Sequence, residues 1–344
     1  MSLTTPPRPF DIAALFPPLA PLARTATRLH PRPGAPTVHD SSVGGPLLWP
    51  AGEPWPHCAG PHDRHAAPVI FSPQDIRLLR RDLATATERL RLDPAAPEAT
   101  TEERANWERI KAGRPWFDGP VPLLPVAQFH ARDIPFPRPP GKDLLQVLWC
   151  PFDHEEYAHP RTELFWRDSA AVTDVLDAPP EPPVVQFDFY LPEPCLLSPE
   201  QVTEFPHPRE LEDEIRDQLA DARRWEAIGP ARYGSYSTDV GELYLGNLST
   251  APGWKTGGWT GWEVGDPGDR PCAACGTQAA PFLTIASSEW DAISESWVPA
   301  EDPAAHPLGA QDGNFTLIDI AGGNKLQLYV CPTDPSHPHL ALVP

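Results

Sequence analysis

Lysine is nearly missing from this chain. Among 344 residues it occurs only as Lys111, Lys142, Lys255 and Lys325, and Asp plus Glu outnumber Lys plus Arg by 47 to 27. The resulting net charge of −20 repels a phosphate backbone, so nucleic acid is not an expected partner. The one short basic run, Arg77, Arg80 and Arg81, reads as the solvated face of a helix. No stretch of about 18 apolar residues occurs, so no membrane span or membrane partner is expected. Met1 to Phe16 lacks the apolar core of a signal peptide, which makes the cytoplasm the expected location. In that compartment the six cysteines are thiols or metal ligands before they are disulfides. Dinucleotide-binding and kinase signatures are absent too. Ala321-Gly322-Gly323-Asn324 before Lys325 reads as a hairpin turn, because a phosphate loop needs G-x-x-x-x-G-K-[ST].

What the chain has in excess is proline, 49 residues of it. Proline breaks long helices and favours strands, turns and extended connections. A hydrophobic fraction of 40% with a mean hydropathy of −0.37 still suits a globular core. Strand-like runs recur between Pro/Gly turns: Pro68 to Phe71, Leu123 to Phe129, Leu144 to Cys150, Leu164 to Arg167, Val184 to Tyr190, Leu243 to Leu248, Pro281 to Ala286, Phe315 to Ile320 and Leu326 to Cys331. Three helices are expected. Ser72-Pro73 opens the first, with Ile76, Leu79, Leu83, Ala86 and Leu90 at helical spacing. The second covers about Thr101 to Lys111, and the third about Pro208 to Ile228. The proline tract at 178–183 reads as a stiff linker.

An internal repeat spans that linker. Leu144-Leu145-Gln146-Val147-Leu148-Trp149-Cys150-Pro151, with Asp153 and His154 behind it, matches Lys325-Leu326-Gln327-Leu328-Tyr329-Val330-Cys331-Pro332 with Asp334 and His337. Gly44-Gly45-Pro46 with Trp49 and Trp55 matches Gly257-Gly258-Trp259 with Trp262, and Pro125 to Phe129 matches Pro281 to Ile285. Agreement in order and content at these places argues for duplication. The expected fold is therefore a β-rich α+β fold of two similar, mostly antiparallel β lobes. Residues 1–40 form an extended Pro-rich arm, 41–178 the first lobe with a helical insertion at about 72–118, and 179–344 the second lobe. In each copy the apolar strand should be buried on both faces and stop at its Cys-Pro.

Thr250-Ala251-Pro252-Gly253-Trp254-Lys255-Thr256-Gly257-Gly258-Trp259, followed by Cys272-Ala273-Ala274-Cys275-Gly276 and Phe282-Leu283-Thr284-Ile285, resembles the YwqG-like family of bacterial proteins. That family is similar in turn to the programmed cell death protein 2 group of eukaryotes. Pro56, Ala127-Gln128 and Leu144 to Pro151 fit its first half; Thr284 departs from its usual Gln. The resemblance covers about residues 40–344. It implies a duplicated β-rich fold, a chaperone-like role towards a ribosomal protein in the eukaryotic relatives, and immunity to protein toxins in some bacterial ones. It carries no catalytic residue.

Cys272-x-x-Cys275 with Gly276 has the spacing of two ligands to one tetrahedral metal. Cys331 is a candidate third ligand, and His337 or His339 a fourth. The first copy offers a parallel set, Cys58, His62, Cys150 and His154, with zinc the natural metal for both. Free cysteine at buried strand ends is the competing account. Redox catalysis by Cys272 and Cys275 lacks a thioredoxin-like context. His154-Glu155-Glu156-Tyr157-Ala158-His159 is no zinc-protease motif, since Ala158 stands where the second His belongs. A Cys150–His154 nucleophile pair conflicts with the repeat, which aligns Cys150 with Cys331. Trp254, Trp259 and Trp262 are candidates for a peptide groove against a packing role.

No complete enzyme signature emerges. The leading expectation is a non-enzymatic, chaperone-like or toxin-immunity-like protein that binds a protein or peptide segment, basic to match the acidic surface, between its two lobes. An enzyme of unrecognised type with a metal or Cys/His site is one rival; a purely structural subunit is the other.

Overall fold

The strand Leu144–Asp153 shows how the fold is built. In this computed structural model, which describes residues 3–62, 67–154, 159–226, 239–291, 293–302 and 313–344, every residue of that strand but Asp153 is buried. Leu145, Val147 and Trp149 face a core shared by both halves; Leu148, Cys150 and Phe152 face a second cluster with Trp49, Trp55 and Val121. Fully burying one such side chain contributes about 1.5–3 kcal/mol, so the strand is committed on both faces.

Two six-stranded antiparallel sheets pack on that shared core. Ranges in chain order are β1 (Arg24–Arg28), β2 (Arg32–Pro33), β3 (Ser42–Val43), β4 (His57–Cys58), β5 (Val121–Pro122), β6 (Leu124–His130), β7 (Leu144–Asp153), β8 (Pro160–Arg167), β9 (Cys195–Leu196), β10 (Glu200–Glu204), β11 (Lys255–Gly257), β12 (Ala280–Ala286), β13 (Lys325–Val330) and β14 (Leu340–Leu342). One sheet has the order β2-β9-β3-β6-β7-β8, the other β10-β1-β11-β12-β13-β14, and β4 pairs only with β5. This is the β-rich α+β fold expected.

The two sheets match strand for strand and in register. Both central pairs carry an irregularity at the same place, between Pro125 and Ala127 and between Pro281 and Leu283. Trp149 opposite Leu124 corresponds to Val330 opposite Ala280, so Cys150 and Cys331 occupy equivalent positions. Gln128 opposite Gln146 corresponds to Thr284 opposite Gln327, and each pair is joined through its side chains, at 2.9 and 2.8 Å. Val43 opposite Ala127 corresponds to Thr256 opposite Leu283, which puts Gly44 and Gly257 at matching turns, with φ of +64° and +69°. Left-handed backbone of this kind suits glycine.

The division between the copies is not the one expected. β1, inside the supposed arm, lies in the second sheet between β10 and β11, and β9, from beyond the linker, lies in the first sheet between β2 and β3. Leu196 faces Ser42 as Arg28 faces Lys255, and Arg32 faces Leu196 as Glu200 faces Arg28. Each copy thus lends its first strand to the other's sheet. A cut at 178/179 or at residue 40 would divide both sheets.

Other corrections are local. β7 runs through Pro151 to Asp153 instead of stopping at Cys-Pro, whereas β13 ends at Val330. Leu243 to Leu248 belongs to a helix, Val240–Asn247, capped by Asp239 on the amides of Gly241 and Glu242. Pro68 to Phe71 and Val184 to Tyr190 meet only at a single bridge, Phe71 with Val185, and Phe315 to Ile320 holds only the bridge of Ile320 with Asn324. After the short α1 (Ile12–Leu15), the helical insertion is present as α2 (Pro73–Leu92) and α3 (Thr101–Lys111), tied by Asp75 to Arg109 and Arg114 at 2.8 and 2.6 Å. The helix expected from Pro208 breaks into Asp213–Ala220 and Ala222–Trp225, with Asp221 capping the second piece; its end, Ile228, lies outside the described residues.

Candidate metal centres

Each copy brings its expected ligand set together. In the first, β4 carries Cys58 and β7 carries Cys150, while His62 and His154 follow these strands. Cys58 Sγ lies 3.5 Å from His154 Nε2, and Cys150 Sγ 3.2 Å from His62 Nε2. The His62 ring stacks on Phe152 at 4.8 Å, which fixes its plane. In the second copy Cys272 and Cys275 sit on one turn, closed by Gly276 N–H on the Cys272 carbonyl at 2.8 Å, with Gly276 at φ +72°. Cys331 follows β13, and a turn from Asp334 brings His337 back. Cys275 Sγ is 3.5 Å from Cys331 Sγ, and Cys272 Sγ 3.5 Å from His337 Nδ1.

Within each set all four ligand atoms lie within 4.8 Å of one another. A metal with bonds of about 2.0–2.3 Å needs neighbouring ligands roughly 3.5 Å apart, so either set could hold one ion. His339, the other candidate for the fourth place, is not in the cluster; its Nε2 meets the Thr162 hydroxyl at 2.8 Å.

Within each set some thiols are held below their ordinary range and one is pushed above it. A hydrogen bond from Cys150 is the largest cause holding the Cys58 thiol far below its ordinary range, while burial and then Cys58 push Cys150 above it. Burial raises Cys331, but the Asp334 amide and then His337 outweigh it and bring the thiol down to about 6. Burial raises Cys272, while Thr277 holds Cys275 down.

The tryptophans pack. Trp254 and Trp262 are 2% and 3% exposed. Trp259 is half-buried, donates to the Leu22 carbonyl at 3.0 Å and lies under the Arg24 guanidinium at 3.3 Å. They therefore offer no open groove; aromatic area of this size is used up in the interior and by the arginine cap.

An open groove lies elsewhere, between the two copies, walled by residues that the motifs did not single out as a groove. A cleft of about 880 Å³ is bordered by Pro61, His154 and Arg161 of the first copy and by Ser336, His337 and His339 of the second. Its walls include β8 and β14, the outermost strands of their sheets. Leu164 faces Val147 as Ala341 faces Leu328, so Thr162 and His339 are equivalent positions. Their direct contact puts the pseudo-twofold between them, with a ligand set on either side of the cleft. Burial, then Arg161, lowers the His339 pKa to about 4, and burial lowers His159, so these two rings are neutral near pH 7. The middle of the rejected protease motif, 155–158, lies outside the described residues. Among the described residues no helix is long and apolar enough to cross a membrane. No protein-family model matches the chain, and no curated protein matches it.

Proposed function

We propose that the protein binds an extended segment of another protein in the cleft between β8 and β14, chaperone-like or immunity-like and without chemistry of its own. The observation that carries this reading is the cleft itself, a large opening on the pseudo-twofold walled by β8 and β14, the edges of both sheets among the described residues. Unpaired backbone groups along a sheet edge take an added strand by main-chain hydrogen bonds. The reading also takes zinc as the metal of both ligand sets. Two cysteines and two histidines, or three cysteines and one histidine, complete a tetrahedron and leave no place for a substrate, which is the composition of a structural site. Zinc would then hold the turns that carry His154 and His337 into the cleft walls. The net charge of −20 favours a basic segment, through encounter rate more than final affinity. Kinship with YwqG-like proteins belongs to the same proposal and is supported by the matched Gly-Gly turns and the equivalent positions of Cys150 and Cys331.

A second reading, a metal-assisted enzyme, has one observation in its favour: a cavity of about 230 Å³ beside Cys58 and Cys150, bordered by Arg161 and Glu163. Four protein ligands would close the zinc to it, so the binding reading stands ahead.

The test is photo-crosslinking in the native cell, with a photoreactive residue at Leu340 in the cleft wall and, as reference, at the 70% exposed Leu92 on α2. A discrete protein adduct from Leu340 that Leu92 does not give is expected. Identical adduct patterns from the two positions would sink the proposal.

A further inference from the structure

The three arginines of α2 do not simply face water. Arg77, Arg80 and Arg81 border a crevice of about 630 Å³ whose opposite wall includes Pro180, Pro192, Phe315 and Leu317. It shares no bordering residue with the cleft between β8 and β14. Arg80 holds the wall in place, donating to the carbonyls of Asp188 and Leu191 at 2.8 Å each. Arg81 is exposed and enters no ion pair among the described residues. Leu317 stands at φ +54°, a backbone that leucine resists, with its side chain 38% exposed.

The chain itself shows what these arginines accept. Glu181, between Pro180 and Pro182, reaches Arg77 at 2.5 Å, so an acidic, proline-flanked extended segment already lies against the helix. A second carboxylate on the crevice, Glu193, reaches Arg80 at 3.5 Å, which leaves Arg81 as the cation of the free part, beside an apolar floor.

We propose that this crevice binds a short acidic peptide segment: a side-chain carboxylate on Arg81, and an adjoining apolar side chain on Phe315 and Leu317. Paired guanidinium–carboxylate recognition suits such a site, with apolar contact giving the ligand its orientation.

The test is fluorescence anisotropy with the full chain and three labelled hexapeptides, acetylated and amidated at their ends, alternating leucine with glutamate, glutamine or lysine. The glutamate peptide should bind, and the other two at least tenfold more weakly. R81Q should weaken the glutamate peptide at least tenfold without moving the melting temperature, since Arg81 is exposed. L317D, which sets a like charge on the floor, should do the same, and decides the matter if R81Q fails to fold. Equal binding of the glutamine peptide, or equal binding by whichever variant folds, overturns the proposal.

Discussion

At the scale of single residues, the buried histidines give the molecule its response to acid. His207 is 5% exposed and accepts a hydrogen bond from the Arg209 amide at 3.1 Å. Burial, then Arg209 and Lys325, push its pKa down to about 4. An unfolded histidine titrates near 6.5, so as pH falls from about 6.5 towards 4 the unfolded state takes the proton first and stability is lost; above that window the residue costs nothing. The loss from His207 alone is about 2 kcal/mol at pH 5. H207N keeps an acceptor for the Arg209 amide but does not titrate. Thermal melts at pH 7 and pH 5 should therefore lie closer together for H207N than for the parent chain, and an equal drop in both would remove His207 from the account.

At the scale of elements, each ligand set clips a turn to the end of a central strand. Two zinc ions per chain are expected by elemental analysis, with C150S and C331S each retaining one. Loss of either clip should cost on the order of 3 kcal/mol, read as a lower melting temperature that added chelator reproduces in the parent chain. Metal-free protein that melts at the parent temperature would end the zinc reading. The ligands were legible in sequence because Cys272-x-x-Cys275 is a local spacing and because the repeat aligned Cys331 with Cys150. The choice of His337 over His339 was not, since it depends on the turn at Asp334 and on Thr162 across the pseudo-twofold. Local pattern also failed at Leu243 to Leu248. Its apolar run has no clear period, and the helix there is decided by the Asp239 cap and by burial of Leu243, Tyr244 and Leu248 against Phe16 and Trp225.

At the scale of the whole molecule, the exchange of β1 and β9 makes the two copies depend on each other. Residues 1–178 alone lack β9, and the first sheet then loses the strand between β2 and β3; residues 179–344 alone lack β1, the strand between β10 and β11. Either fragment alone should show no cooperative melt, because an interior strand's hydrogen bonds and the shared core go unmade. Co-expressed, the fragments should associate one to one and recover the circular dichroism of the full chain. A fragment that melts cooperatively by itself would show that the exchange is dispensable.

By itself the sequence determined the duplicated unit, its buried strands at Leu144 and Leu326, its Gly-Gly turns, the helical insertion and, but for the choice between His337 and His339, the residues of the two candidate ligand sets. The strands, turns and helices are written in periodicity or short spacing, where neighbours in the chain are neighbours in space; the ligand sets rest on Cys272-x-x-Cys275 and on the alignment of the repeat. Tertiary structure alone decided the strand exchange, the burial of Trp254 and Trp262, and the cleft between β8 and β14. β1, β2 and β9 are two to five residues long with no apolar alternation to announce them. Such segments become strands only when a distant partner supplies hydrogen bonds, as Thr27 does in pairing with both Gln201 and Thr256.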